Sequence, residues 1–271
     1  MDGPQGTAHK PATSARMYDY YLGGTHNFAA DRQAAEKVIS LYPAVPAVAR
    51  TNRAFLGRAV RFLADAGVRQ FLDIGSGIPT AGNVHEIAQE VAPDARVVYV
   101  DIDPVAVKES LDILDGNKLA TAVSGDLRDP GAVLDDPRVR ETFDFTRPIG
   151  VVLAAVLHFV PEDEQAYGVV DQLLAGLAPG SHLVISHGAA ETFLLADERT
   201  AAARAVYTRQ TRTGGKPRTR DEVERFFGAR CALVDPGVSW APDWRPAAGD
   251  PTDFAADIRR SGMWAAVGRL G

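Results

Sequence analysis

The residues best spaced for chemistry begin with two glycines one residue apart. Gly75 and Gly77 follow the short apolar run Gln70–Ile74, in the string Asp73-Ile74-Gly75-Ser76-Gly77. Glycines there let a backbone turn tightly and approach a ligand without a Cβ in the way. Asp101 closes the next apolar run, 24 residues beyond Gly77. A carboxylate at that distance suits ribose hydroxyls, which donate to it. Asp126 follows a third run, His158 a fourth and His187 a fifth. Taken singly, Asp101 also reads as a loop carboxylate, Asp126 as an Asx-turn residue, and either histidine as a loop or helix-entry group. Their order along the chain favours a nucleoside pocket. A dinucleotide fingerprint has a third glycine, for close helix–strand packing. Here Thr80 stands in that place, and no Tyr-x-x-x-Lys pair occurs in the chain. Both facts turn the reading from a nicotinamide dehydrogenase toward an adenosine ligand without a pyrophosphate.

The elements that must position these residues follow from hydrophobic period. Gln70–Ile74, Arg96–Val100, Leu119–Val123, Gly150–Leu157 and His182–Ser186 read as near-continuous apolar strands, as strands covered on both faces do. Helical periods separate them, in Thr80–Val91, in a helix opened by Asp103-Pro104, and in Pro161–Leu177. Two last strands, Ala232–Val234 and Met263–Val267, follow a helix with capping-box spacing at Thr219–Glu222. Strand and helix in alternation predict an α/β, doubly wound, mostly parallel sheet, whose ligands sit beyond the carboxyl ends of the strands. Residues 1–14 read as a mobile tail and 15–69 as a helical extension. That extension has apolar stripes in Asp31–Ser40 and Ala47–Ala66, with a break at Tyr42–Pro46. Residues 70–271 carry the α/β domain.

Composition sets the outer limits. The 271 residues are 46% apolar with a net charge of −6, which fits a globular domain and argues against a nucleic-acid partner. One cysteine, Cys231, excludes a disulfide framework and a four-cysteine metal site. No apolar run approaches a membrane span, and Met1–Ser14 lacks the apolar core of a signal peptide, so the expected compartment is the cytoplasm. Arg199–Arg220 holds seven basic residues and no acidic one. It reads as a solvated helix and loop rather than a phosphate-binding patch, since no aromatic ladder accompanies it.

The order Asp73-x-Gly75-x-Gly77, Val100-Asp101, Gly125-Asp126-Leu127 and Leu177-Ala-Pro-Gly180 resembles a class I S-adenosylmethionine (SAM)-dependent methyltransferase. The string Ala15-Arg16-Met17-Tyr18-Asp19-Tyr20-Tyr21-Leu22-Gly23-Gly24-Thr25-His26-Asn27-Phe28 is more specific. With Asn52-Arg53-Ala54-Phe55-Leu56 and Ile78-Pro79-Thr80, it resembles a bacterial family called S-adenosyl methyltransferase, formerly a domain of unknown function. The resemblance implies a seven-stranded Rossmann-like sheet with an antiparallel last strand, and SAM as cofactor. It implies that Asp73, Gly75, Ser76 and Gly77 surround the methionine part, and that Asp101 with Ile102 holds the ribose. Asp126 and Leu127 would meet the adenine, and Ala154 and Ala155 would lie under the sulfonium. Pro79 stands where such enzymes often have a third glycine. The apolar fourth motif lacks the Asn/Asp-Pro-Pro-aromatic signature of many nucleic-acid and protein amino methyltransferases, so the expected acceptor is a small molecule. A base is needed only where the nucleophile must lose a proton. His158 is the first candidate and His187 the second. Tyr18 and Tyr21, three apart on one helix face, could close a lid over the pocket or pack on the core. Asn27, Asn52 and Arg53 are weaker candidates for the same pocket. Trp240 and Trp244 line an acceptor site or pin a loop. A non-catalytic SAM- or nucleoside-binding regulator would use the same pocket.

Overall fold

The computed structural model describes residues 11–79, 82–194, 198–211 and 214–271. Most of the predicted tail, Thr80 of the glycine loop, and Arg212 of the basic stretch lie outside the described residues. The chain opens with three helices, α1 (Ser14–Tyr21), α2 (Ala29–Leu41) and α3 (Val45–Asp65). Pro46 falls in the first turn of α3, where its missing N–H costs nothing, so this helix starts before the expected Ala47. The alternation then runs β1 (Gln70–Ile74), α4 (Val84–Val91), β2 (Arg96–Asp101), α5 (Pro104–Ile113), β3 (Ala120–Ser124), α6 (Pro130–Asp135), α7 (Pro137–Thr142), β4 (Gly150–Ala154), α8 (Asp163–Ala175) and β5 (His182–Gly188). Helices α9 (Ala190–Leu194), α10 (Glu198–Thr211) and α11 (Arg220–Arg225) lead to β6 (Cys231–Leu233), β7 (Ser239–Trp240) and β8 (Met263–Leu270).

The sheet has the order β3-β2-β1-β4-β5-β8-β6, with β7 also paired to β8. Strands β1 to β5 are parallel, and β8 runs antiparallel between β5 and β6. Among the described residues the sheet therefore has eight strands rather than seven. The extra one is a piece of the sixth: β6 and β7 pair with successive stretches of β8, Gly268–Leu270 and Trp264–Ala265. Between them stand Pro236, which has no N–H for the ladder, and Gly237 at φ +79°. The fourth strand is shorter than expected. Ala155 adopts φ +55°, and the chain leaves the sheet into a 3₁₀ turn at Leu157–Phe159.

Side chains alternate between two apolar layers. Leu72, Ile74, Val98, Val100, Leu153 and Ile185 face the layer built with α6, α7, α8 and α11. Phe71, Val97, Tyr99, Val152 and Val184 face α3 and α4. Helix α3 thus packs with the sheet, through Phe55, Val60 and Leu63. Helices α1 and α2 form a separate cluster with Ala203 and Val206 of α10. The two tryptophans pin the loop before β8. Trp244 is fully buried edge-on against Phe55 and Phe62, and Trp240 stacks on Trp264 at 3.7 Å.

One buried cation joins the helical cluster to the sheet. Arg16 Nε donates to Asp31 at 2.9 Å and Nη1 to Asp103 at 2.8 Å. Arg16 is 2% exposed and Asp31 fully buried. Residues 11–13, expected in the tail, are fixed here as well. Thr13 N donates to Asp31, Thr13 Oγ1 donates to Asp103, and Pro11 O accepts from Arg16. Among the described residues no helix is long and apolar enough to cross a membrane.

Removing Arg16 would leave Asp31 buried without its counter-charge. Arg16→Ala is expected to cost about 3–5 kcal/mol of stability, the range for breaking one side of a buried pair. Urea denaturation checks this; a loss below about 1 kcal/mol would mean that solvent already reaches the pair.

Candidate active site

The carboxyl ends of β1 to β4 open into a cavity of about 560 Å³, within the usual range for small-molecule sites. Its floor is the β1 turn. Gly75 N donates to Val100 O at 2.7 Å and Ser76 N to the same oxygen at 3.2 Å, which folds the loop onto β2. Gly75 has φ +73°, and a Cβ there would collide with Val156 Cγ2. Gly77 has φ +63°, but a Cβ would meet only Ala15 of α1, at 3.8 Å.

Four aspartates stand around this floor. Asp73 is 4% exposed and has no hydrogen bond to its carboxylate from the described residues. Burial pushes its pKa up to about 7, against the pull of Arg53. Asp101 accepts from Gly77 N and Asp103 N, both at 2.8 Å. Burial raises its pKa too, and those backbone donors hold it down. Asp103 caps α5 through Val105 N and receives Arg16. Asp126 is held by the Arg128 guanidinium at 2.6–3.0 Å, which keeps its carboxyl below the usual range. Ile102 is 60% exposed, an apolar side chain left at the mouth beside Asp101. Leu127 also lines the cavity and is buried.

The roof and far wall come from α1, α3, the 3₁₀ turn and α10. Tyr18 Oη donates to Ala49 O at 3.1 Å and accepts from Asn52 Nδ2 at 3.0 Å. Tyr21 is 7% exposed, and its hydroxyl is buried without a partner. Arg53 Nε and Asn52 Oδ1 are likewise buried without one. At the end of β4, Ala154 and the left-handed Ala155 line the cavity, and Ala155 N donates to Ser186 O and Oγ, both at 3.0 Å.

The two histidines differ sharply. The His158 ring lines the cavity. Its Nδ1 is sealed without a partner. Burial, with Arg218 nearby, lowers its pKa to about 4. His187 is fully buried and outside the cavity lining. Its Nδ1 bonds Gly188 O at 3.0 Å, and its Nε2 accepts from Arg218 at 3.1 Å. Burial pushes its pKa down to about 3. With both nitrogens engaged, His187 buttresses Arg218 and cannot reach a ligand.

Sequence reasoning missed two residues. Arg218 is fully buried and binds Asp163, Leu157 O and Val160 O, so it fixes the turn that carries His158. The basic stretch is accordingly engaged within the fold: Lys216 also pairs with Asp163, and Arg220 with Glu224. Tyr207 of α10 lines the cavity, with its ring parallel to Phe159 within 9°. Of the other candidates, Asn52 and Arg53 reach the cavity. Asn27 instead bonds Asp19 within the α1–α2 connection, and Trp240 and Trp244 stay in their loop.

Comparison with known proteins matches residues 4–271 to the family model described as S-adenosyl methyltransferase. A DUF574-family protein from Streptomyces avermitilis MA-4680 is 40% identical, with a TM-score of 0.88 over 96% of this chain and 98% of that one. A methyltransferase candidate from Thermobifida fusca YX is 38% identical, with a TM-score of 0.85 over 96% and 95%. Human N-acetylserotonin methyltransferase, solved with SAM, shares the fold at 16% identity and a TM-score of 0.50, over 95% of this chain and 64% of that one. Among curated proteins, no sequence matches the chain. The chain belongs to the S-adenosyl methyltransferase family, and it is a SAM-dependent methyltransferase.

The two loop glycines should respond differently to a methyl group. Gly77→Ala is expected to cost about 1–2 kcal/mol, the penalty of a left-handed backbone alone. Gly75→Ala adds the collision with Val156 and should cost clearly more. Chemical denaturation of both variants checks the order; equal costs would show that Val156 moves aside freely.

Proposed function

We propose that this S-adenosyl methyltransferase passes a methyl group to a small-molecule acceptor held in the same cavity as the cofactor. The observation that carries this reading is the division of the cavity. Its acidic side chains gather at the ends of β1, β2 and β3, while the residues that line it from α1, α3, the 3₁₀ turn and α10 include no acidic group. A chamber of about 560 Å³ closed by helices suits a small acceptor better than a polymer.

The residues present fit the cofactor. Asp73 is buried with no hydrogen bond to its carboxylate from the described residues, where an ammonium group would neutralise it, and Arg53 lines the cavity as a cation for a carboxylate. Gly75, Ser76 and Gly77 would shape the wall around that amino-acid end. Asp101 would accept from ribose hydroxyls. Ile102 and Leu127 would cover the adenine faces, with Asp126 accepting from its amino group. Ala154 and Ala155 would lie beneath the sulfonium, and Tyr18 and Tyr21 would complete the roof. Bound SAM supplies a methyl carbon made electrophilic by its positive sulfur. The protein's task is then to orient the partners and exclude water. His158 is neutral above about pH 4, which also makes it a weak base, so it would take a proton from an acceptor hydroxyl only as the methyl group moves.

Calorimetric titration with SAM, S-adenosylhomocysteine and NAD tests the cofactor site. Binding of the two sulfur nucleosides without NAD is expected, and Asp101→Ala should weaken them by about 1–3 kcal/mol. Unchanged affinity would remove Asp101 from the ribose site. The raised pKa of Asp73 adds a second expectation. Below pH 7 its carboxyl is mostly protonated, and an ammonium beside it favours the charged form. Binding of SAM at pH 6 should therefore release about one proton, and affinity should rise toward pH 7 and level off above it. Titrations in buffers of different ionisation enthalpy measure the release. Asp73→Asn should abolish it, and buffer-independent heats in the unaltered protein would rule out contact between Asp73 and the ammonium.

A further inference from the structure

We infer that Arg128 is a specificity-determining residue of the cofactor site. Its guanidinium holds the carboxylate oxygen of Asp126 that an adenine amino group takes, and the base settles there only by displacing it. This rests on the reading of Asp126 as the acceptor for that amino group.

Both oxygens of the carboxylate are fully engaged. Asp126 Oδ1 accepts from Arg128 N and Arg128 Nε, both at 2.9 Å. Oδ2 accepts from Nε at 3.0 Å and from Nη2 at 2.6 Å. An ionised carboxylate has about four lone-pair sites, and here one residue takes them all. Asp126 and Arg128 both line the cavity. An amino group coming to this carboxylate therefore meets a guanidinium already in place.

The two oxygens differ in what holds them. Oδ1 receives a main-chain N–H, and Asp129 N donates to Asp126 O at 2.9 Å, which closes a turn over residues 126–129. Gly125 N donates to Asp101 O at 3.1 Å and ties the same loop to β2. These main-chain bonds keep the carboxylate in position with or without the guanidinium, as in other Asx turns. Among the described residues, Oδ2 receives nothing but the Arg128 side chain. It is the oxygen that changes partners.

The exchange costs little. The Arg128 side chain is 53% exposed and that of Asp126 35%. Ion pairs so placed are weakened by water and salt, and a freed guanidinium keeps its charge hydrated. An adenine amino group is a donor, so it replaces one N–H···O bond with another. A purine with an oxo group in that place brings an acceptor, which a bare carboxylate repels. With Arg128 kept on Asp126, that oxo group instead meets the guanidinium. Arg128 thus lowers the affinity for adenine and narrows its advantage over an oxopurine.

The test is calorimetric titration of the full chain with S-adenosylhomocysteine and with S-inosylhomocysteine, whose base carries an oxo group in place of the amino group. Arg128→Ala is expected to bind S-adenosylhomocysteine about threefold more tightly than the unaltered protein, and S-inosylhomocysteine no more tightly. Raising the salt from about 0.1 M to about 1 M should erase most of that difference, because salt already weakens the pair in the unaltered protein. Adding Asp126→Ala to Arg128→Ala removes the adenine bond alone and should weaken S-adenosylhomocysteine about tenfold. Equal or weaker binding of S-adenosylhomocysteine by Arg128→Ala, the same gain for both nucleosides, or a gain indifferent to salt would each overturn the inference. No loss in the double variant, or no binding of S-adenosylhomocysteine by the unaltered protein, would instead remove the adenine reading, and the inference with it.

Discussion

A single guanidinium decides where the roof of this protein sits. Arg16 is sealed between Asp31 of α2 and Asp103 at the head of α5. Two negative groups around one buried cation satisfy it only if all three hold position. A buried pair is poor as a source of net stability but strict about geometry once formed. Asp103 is two residues past Asp101, and its other oxygen caps α5. The anchor of the roof and the proposed ribose carboxylate therefore share one short loop. Ala15, next to Arg16, lies over Gly77 as a consequence. The helical cluster is thus tied to the binding edge of the sheet by charge as well as by its apolar contact with α3 at Val45 and Ala49.

The cavity beneath is organised by strand ends. Parallel strands deliver their carboxyl termini to one edge, which brings Asp73, Asp101 and Asp126 together although the chain separates them by tens of residues. Gly75 is indispensable there because both its backbone angle and its closeness to Val156 exclude a side chain. Opposite, a buried arginine does the shaping. Arg218 ties the carbonyls of Leu157 and Val160 to Asp163, and His187 supports it from behind. The exposed edge of the His158 ring is the visible end of that network.

The sheet and its acidic edge are legible in the sequence because spacing encodes them. Each apolar run ends within a few residues of its strand, and the side chain that follows is delivered to the edge whatever else happens. His187 shows the limit of such reasoning. It ends an apolar run as His158 does, yet β5 continues to Gly188, so His187 still belongs to the sheet and turns into its core. Arg218 is hidden for another reason. Its carboxylate partner lies 55 residues earlier, and a stretch of bases with no local acid reads as solvated. Tyr207 belongs to a helix whose packing on α2 leaves no pattern in its own residues. Strand β7 is two residues long, too short for any period to register.

The sealed clasp around Arg16 also bears on time. A surface ion pair loosens in salt and flickers open; one closed off from water is screened much less. Arg16, Thr13 and Asp103 form one contact at the edge of the chamber, so α1 lifts from that edge only when these bonds part together. Lid motions in enzymes commonly run in microseconds to milliseconds, and in many enzymes opening, rather than bond making, paces the cycle. Residence in the chamber is a property of α1 as much as of the groups that touch the ligand.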